Sequence, residues 1–152
     1  YNSVTGEGVL YMLPNMYWIP EGVFSGDSGL TEVDLTDSGL TTVGSRAFNG
    51  CTSLGVVQLP DNLVSIGEVA FRNCGVIYSI VLPSTIDRIN NYAFEGCSNL
   101  TSVTCYATTP PTLGYNPFPA SNDTLYVPAA SVSAYQADSS WSAAFTTITA
   151  IS

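Results

Sequence analysis

Phenylalanine recurs along this chain at a near-constant interval: Phe24, Phe48, Phe71, Phe94 and Phe118 are separated by 24, 23, 23 and 24 residues. Other positions travel with it. Five places before each ring stands an aliphatic residue, Ile19, Val43, Ile66, Ile89 and Leu113, and six places after the first four come Leu30, Leu54, Ile77 and Leu100. Nine places after the same four stand Val33, Val57, Ile80 and Val103, and three places after all five stand Asp27, Cys51, Cys74, Cys97 and Ser121. A fixed period of roughly 20 to 29 residues with this spacing marks a solenoid, each unit being one coil with a short strand and a return segment. A single coil buries too little apolar surface to offset the entropy of ordering its own backbone, so neighbours must supply the rest. Stacking sets like side chains over like and pairs each strand with the next at about 4.8 Å in a parallel sheet.

Within one unit, Leu54-Gly-Val-Val57-Gln-Leu59-Pro60 has the alternation of a strand, with Val57 and Leu59 inward and Val56 and Gln58 outward. Proline ends it. From Leu63 to Phe71 the apolar spacing is uneven, three to five residues, which predicts a 3₁₀ or short irregular helix on the opposite side. Ala47, Ala70 and Ala93, each just before a ring, leave it room. Thr108-Thr-Pro-Pro111 breaks the rhythm, Phe118 belongs to a degraded copy, and Leu125-Tyr-Val-Pro128 supplies a last strand. Beyond it Val132, Tyr135, Trp141, Phe145 and Ile148 predict an amphipathic helix over residues 129–137 and a closing segment. The chain thus divides into residues 1–106, an array of about four 23–24-residue repeats, and residues 107–152, a degenerate last repeat with a C-terminal cap. At the other end Tyr11-Met-Leu13-Pro14 is expected to form an opening strand, with no comparable cap. Because the pattern is already under way where the chain starts, a trimmed fragment lacking its signal or anchor is expected.

Charge and residue inventory exclude whole classes of function. Twelve acidic residues stand against three basic ones, Arg46, Arg72 and Arg88, for a net charge of −9, which repels phosphate backbones and anionic lipid. No nucleic-acid partner is expected. Without histidine or lysine the chain lacks the commonest general base, the Schiff-base amine and the commonest zinc ligand. Carboxylate pairs such as Glu32 and Asp34 fall on one strand face with no evident cleft, and with Asp37 they lack the alternating oxygens and glycine of a calcium loop. The expectation is a non-enzymatic protein with neither cofactor nor metal. No stretch approaches the roughly 18 apolar residues of a membrane span, so this fragment is not expected to insert in a bilayer. The lysine-free composition, rich in Ser, Thr and Tyr, fits an extracellular or cell-surface protein.

The repeating residues resemble the BspA-like leucine-rich repeat family of the Treponema type, whose motif is AFxxCxxLxxVxLPxxLxxIG. It is matched as Ala47-Phe48, Cys51, Leu54, Val57, Leu59-Pro60, Leu63 and Ile66-Gly67. A second copy runs Ala70-Phe71, Cys74, Ile77, Ile80, Leu82-Pro83, Ile86 and Ile89, with Asn90 in place of the glycine, and a third runs Ala93-Phe94, Cys97, Leu100, Val103 and Cys105. The resemblance covers residues 9–106, and the ending LYVPAASVSAYQ with Trp141 is similar to the closing segment of bacterial surface members. Asp27 and Ser121 depart from the motif cysteine, and Cys105 from the strand leucine. The fold expected is an α/β leucine-rich-repeat right-handed solenoid with a parallel β-sheet on the concave face and a C-terminal cap. The resemblance also implies secretion or surface display and, for some members, adhesion to host or matrix proteins, but it fixes no ligand.

The outward strand positions expected on that face are Leu10 and Met12, Glu32 and Asp34, Val56 and Gln58, Ser79 and Val81, Ser102 and Thr104, then, after a two-residue slip, Thr124 and Tyr126. They form the candidate ligand-binding set, its alternative being an ordinary solvated face. Tyr17, Trp18, Tyr78, Tyr92, Tyr106 and Tyr115 lie outside the inward positions and suit protein or sugar contacts, or capping. Trp141 is assigned to structure. Cys51, Cys74 and Cys97 would form a ladder of buried thiols; the spacing also permits a disulfide between neighbours, and a metal site is a remote third reading. The function expected is a recognition module that binds a protein ligand, host or matrix protein, through the concave face. Its alternatives are a structural spacer in a larger surface protein and a carbohydrate-binding module.

Overall fold

A computed structural model of the chain describes residues 2–5 in their main chain only, together with residues 8–12, 14–120 and 124–152. Leu13, read as part of the opening strand, and Ser121, part of the repeat alignment, lie outside the described residues. After β1 (Asn2–Thr5), successive coils each carry a longer and a two-residue strand. These are β2 (Val9–Tyr11) with β3 (Trp18–Ile19), β4 (Glu32–Asp34) with β5 (Thr42–Val43), and β6 (Val56–Gln58) with β7 (Ser65–Ile66). The series continues with β8 (Ser79–Leu82) and β9 (Arg88–Ile89), β10 (Ser102–Cys105) and β11 (Thr112–Leu113), then β12 (Thr124–Val127). A 3₁₀ turn (Ala129–Ser131), α1 (Val132–Ala137), α2 (Ser139–Ala144) and β13 (Thr147–Ala150) close the chain. This is an α/β leucine-rich-repeat solenoid with few helical residues.

One aromatic column runs through it. The rings of Phe24, Phe48, Phe71, Phe94 and Phe118 stack with centroids 5.3, 5.2, 5.3 and 5.6 Å apart and interplanar angles of 3–8°. That separation lies within the range favoured for offset stacking. Around each ring the backbone shows why the expected helix does not form. The N–H groups of Arg46, Phe48 and Gly50 donate to Glu68, Ala70 and Arg72 of the next coil at 2.8–2.9 Å, whereas those of Ala47, Asn49 and Cys51 turn back three residues to Gly44, Arg46 and Phe48. A helix needs every N–H for its own ladder. Here alternate donors are spent on the neighbouring coil, so the return side is a stack of turns and a second parallel sheet, β3-β5-β7-β9-β11, in place of 3₁₀ helix. Close approach on this side requires a small residue: a Cβ on Gly67 would lie 2.6 Å from the Ser45 nitrogen. The turns also carry left-handed residues, among them Val69 at φ 51°, a conformation that costs a side-chain-bearing residue about 1–2 kcal/mol. Its N–H bond to Asn91 O at 2.9 Å holds it there.

The longer strands do not form one continuous sheet. They divide into β1-β2-β4-β6 and β8-β10-β12-β13, and no backbone hydrogen bond joins β6 to β8. Uninterrupted pairing is therefore corrected at one place. At the N-terminal edge β1 runs antiparallel to β2, so an unlike strand covers the parallel sheet where no cap was expected. On the second sheet Pro20 follows β3 at the position of Gly67, Asn90 and Gly114, whose N–H groups donate to the preceding coil at Val43, Ile66 and Ile89. Proline has no such donor, which suits a sheet edge.

The C-terminal cap ties itself to the carbonyls of the segment that breaks the repeat. Tyr135 OH donates to Ala107 O at 2.8 Å, Ser131 Oγ to Thr108 O at 2.9 Å and Trp141 Nε1 to Pro111 O at 2.8 Å. Asp138 caps α2 by accepting from the Ser140 and Trp141 N–H groups. Phe145 meets the Phe118 ring edge-on at 5.0 Å and buried Trp141 lies at 5.7 Å, so the cap's aromatics cover the last ring of the column. The helix expected over residues 129–137 is a 3₁₀ turn running into α1, and β13 adds a parallel strand beside β12.

Removing a ring from mid-column leaves a cavity between two coils. Phe71→Ala is expected to cost about 3–5 kcal/mol, and Phe24→Ala, at the half-buried end, distinctly less. Urea midpoints of the two variants against the parent chain test this ordering.

Candidate functional site

Strand alternation sends every second side chain of the longer strands outward, and the parallel register sets these into two rows across the face. One row runs Val9, Glu32, Val56, then Ser79, Ser102, Thr124 and Thr147; the other runs Tyr11, Asp34, Gln58, then Val81, Thr104, Tyr126 and Thr149. The pairing of Ser102 with Thr124 and of Thr104 with Tyr126 absorbs the two-residue slip read from the sequence. Leu10 and Met12 are corrected: they are only 3% and 7% exposed and face the core, while Val9 and Tyr11 take the outward places. The first strand begins earlier than Tyr11-Met12 suggests, and a one-residue change of register exchanges the two faces.

Of the outward residues, Val56, Gln58, Ser79 and Val81 are exposed, whereas Glu32, Asp34, Ser102, Thr104 and Tyr126 are half-buried among neighbours. Glu32 Oε1 accepts from Gln58 Nε2 at 3.1 Å, and Asp34 Oδ1 accepts from the Thr36 N–H at 3.0 Å and its hydroxyl at 2.6 Å. No arginine balances them here. Arg46 pairs with Glu21 at 2.9 Å and Arg72 with Glu95 at 2.6 Å in the turns, and Arg88 sits in β9 of the second sheet. The face therefore carries only negative charge. Among the described residues no group of three or more acidic or cysteine side chains is placed to hold a metal ion, and no helix is long and apolar enough to cross a membrane.

A feature the repeat did not announce lies where β6 and β8 part. A groove of about 280 Å³ opens there, lined by Val57, Leu59, Val81 and Pro83, with Gln58, Asp61 and Tyr106. It reaches toward the core: Val57 is 9% exposed, while its equivalents Val33 and Val103 are fully buried. The 23-residue spacing is the same on both sides of the gap, so only Tyr106, already singled out as an outward aromatic, hinted at it. Tyr78 is likewise exposed just before β8. Tyr17, Trp18 and Tyr115 are exposed elsewhere on the molecule, and Tyr92 is half-buried, its ring edge-on to Tyr115 at 5.5 Å.

The cysteine ladder is buried and unbridged. All four thiols are free; Cys51, Cys74 and Cys97 each donate at 3.1 Å to the carbonyl of a phenylalanine one coil back, Phe24, Phe48 and Phe71 respectively. Burial pushes Cys51 from the ordinary 9.0 up to about 11 and Cys97 up to about 12. Cys74 is also raised, by burial and then by its neighbouring thiols. Cys105 is raised by burial as well and lies 3.2 Å from Tyr135 OH. Protonated, enclosed thiols are poor nucleophiles and poor metal ligands.

Residues 18–127 match the family model described as BspA type leucine rich repeat region, in six copies. Among solved structures, the Leucine Rich Repeat protein of T. pallidum is similar at 25% identity over 75% of this chain and 53% of its own, with a TM-score of 0.65. A leucine-rich repeat protein from Bacteroides ovatus shares the fold at 21% identity, covering 95% of this chain and 42% of its own, with a TM-score of 0.62. The chain thus spans about half the length of these two proteins. No curated protein matches it.

The thiols should resist alkylation in the native chain, and all four should label once it is unfolded. In the unfolded chain thiols deprotonate above about pH 9 while the buried ones keep their protons, so the native state holds more protons and stability falls as pH rises. Urea midpoints should accordingly decline between pH 9.0 and 11, the interval between the ordinary and the raised Cys51 values.

Proposed function

The chain belongs to the BspA-type leucine-rich repeat family, and on that premise we propose that it is a non-enzymatic recognition module, secreted or displayed at the cell surface. It binds a protein ligand through the concave face that the two outward rows make up. The observation that carries this reading is the make-up of those rows. Carboxylates, hydroxyls, an amide, exposed aliphatics and tyrosines stand side by side on a rigid sheet. Such a surface offers area and directional bonds without ordering loops on binding. The absence of histidine and lysine from the sequence, and the enclosure of every thiol, support the non-enzymatic part.

Immobilised host and extracellular-matrix proteins provide the test. Glu32→Lys, Gln58→Ala and Tyr126→Ala should each weaken the interaction with whichever of them binds, by about tenfold for a residue at the centre of the contact and less toward its edge. Binding indifferent to all three changes would remove the face from consideration. A chain that engages none of the proteins would favour the spacer, and saturable glycan binding lost on Tyr78→Ala or Tyr106→Ala would favour the sugar reading.

A further inference from the structure

We infer that the gap between β6 and β8 is a docking groove for a short extended segment of a partner protein, one that presents an apolar anchor side chain flanked by lysine or arginine. This inference rests on the outward face being the recognition surface, and it names the chemistry of what binds there. Elsewhere on the face, the start of each longer strand is tied to the coil before it. Gly55 and Val56 N–H donate to Thr31 O at 3.0 and 3.3 Å, Thr101 N–H to Tyr78 O at 3.1 Å, and Thr124 N–H to Thr101 O at 3.2 Å. No counterpart ties Tyr78 or Ser79 to Gly55. The strands have parted and no side chain has closed the space, which leaves a groove of about 280 Å³ with Val57, Leu59, Val81 and Pro83 in its lining. Val56 and Val81, 48% and 52% exposed, flank the parting, and Tyr106, 47% exposed, lines the groove, so apolar surface continues outward from it. A concave apolar site beside polar groups takes a side-chain anchor well.

Charge decides which anchor-bearing segment fits. Asp61 lines the groove, and Glu32 and Asp34 stand on the next strand, with Gln58 between Asp34 and the gap. The arginines are in the turns or on the second sheet. A second copy of this chain, also at −9, would bring the same acidic rim against itself. A lysine or arginine on either side of the anchor would meet opposite charge instead.

Three synthetic peptides of equal length serve as probes: a central leucine flanked by lysines, the same with serine at the centre, and the leucine peptide flanked by glutamates. Each is titrated into the full chain, with amide chemical shifts as the readout. The lysine–leucine peptide should bind saturably, shift Val57, Gln58 and Val81, and weaken as salt is raised. Val81→Asp and Asp61→Lys should each weaken it by about tenfold. Asp87→Lys, which changes net charge equally on the other side of the coil, should leave it unchanged. Equal binding of the serine or glutamate peptide, no binding of any of the three, or indifference to Val81→Asp and Asp61→Lys would overturn the groove. So would self-association of the chain that Val81→Asp abolishes. If a protein ligand is lost on Glu32→Lys or Tyr126→Ala yet untouched by Val81→Asp and Asp61→Lys, the groove fails and the face stands. Shifts confined to the second sheet would remove both.

Discussion

Coil-to-coil hydrogen bonding around the phenylalanine column is the constraint on which the rest of the structure depends. Each turn surrenders every second N–H to the coil above it, so a coil cannot rotate or slip against its neighbour without breaking several bonds at once. That fixed spacing brings the rings to 5.2–5.6 Å. It also leaves room only for small residues at positions such as Gly67 and Ala70. The thiols of Cys51, Cys74 and Cys97 obey the same spacing, since each reaches back one coil to a phenylalanine carbonyl that also closes a turn. They serve as small hydrogen-bonded core residues, not as cross-links.

A stack of this kind has two ends with different needs. At the C-terminal end the last ring would face water, and Trp141 and Phe145 cover it, held by three side-chain donors that use carbonyls of residues 107–111. At the other end the sheet on the main face meets an antiparallel strand, and the second sheet ends at a proline that has no hydrogen to donate. Both devices leave fewer open strand edges, which are the usual route to unwanted pairing.

Rigid coils also explain how a surface can be specific without loops. Outward residues are held at strand spacing whatever they are, so their identity can vary without disturbing the core beneath. The acidic character of the face arises in this way, from Glu32 and Asp34 on β4 together with arginines committed to pairs in the turns. The parting of β6 from β8 interrupts the stacking of the longer strands and adds apolar depth to charge on this face.

The repeat by itself determined the family, the solenoid, the aromatic column, the inward and outward sets from Glu32 to Tyr126, and the presence of a C-terminal cap. All of these follow from periodicity, which is a local property of sequence that stacking merely multiplies. Tertiary structure alone decided the rest. Leu63 to Phe71 carries helix-like spacing, but its N–H groups are claimed by both neighbouring coils, those of Val64, Ser65 and Gly67 by Thr41 and Val43 of the preceding one and those of Val69 and Phe71 by Asn91 and Ala93 of the next, and no single coil's sequence records that claim. Leu10 and Met12 turn inward because the register of β2 is set by pairing with β4, not by the opening residues themselves. The gap at β6 and β8 stands between two coils of identical length and matching pattern, for it belongs to the relation between them and not to either one.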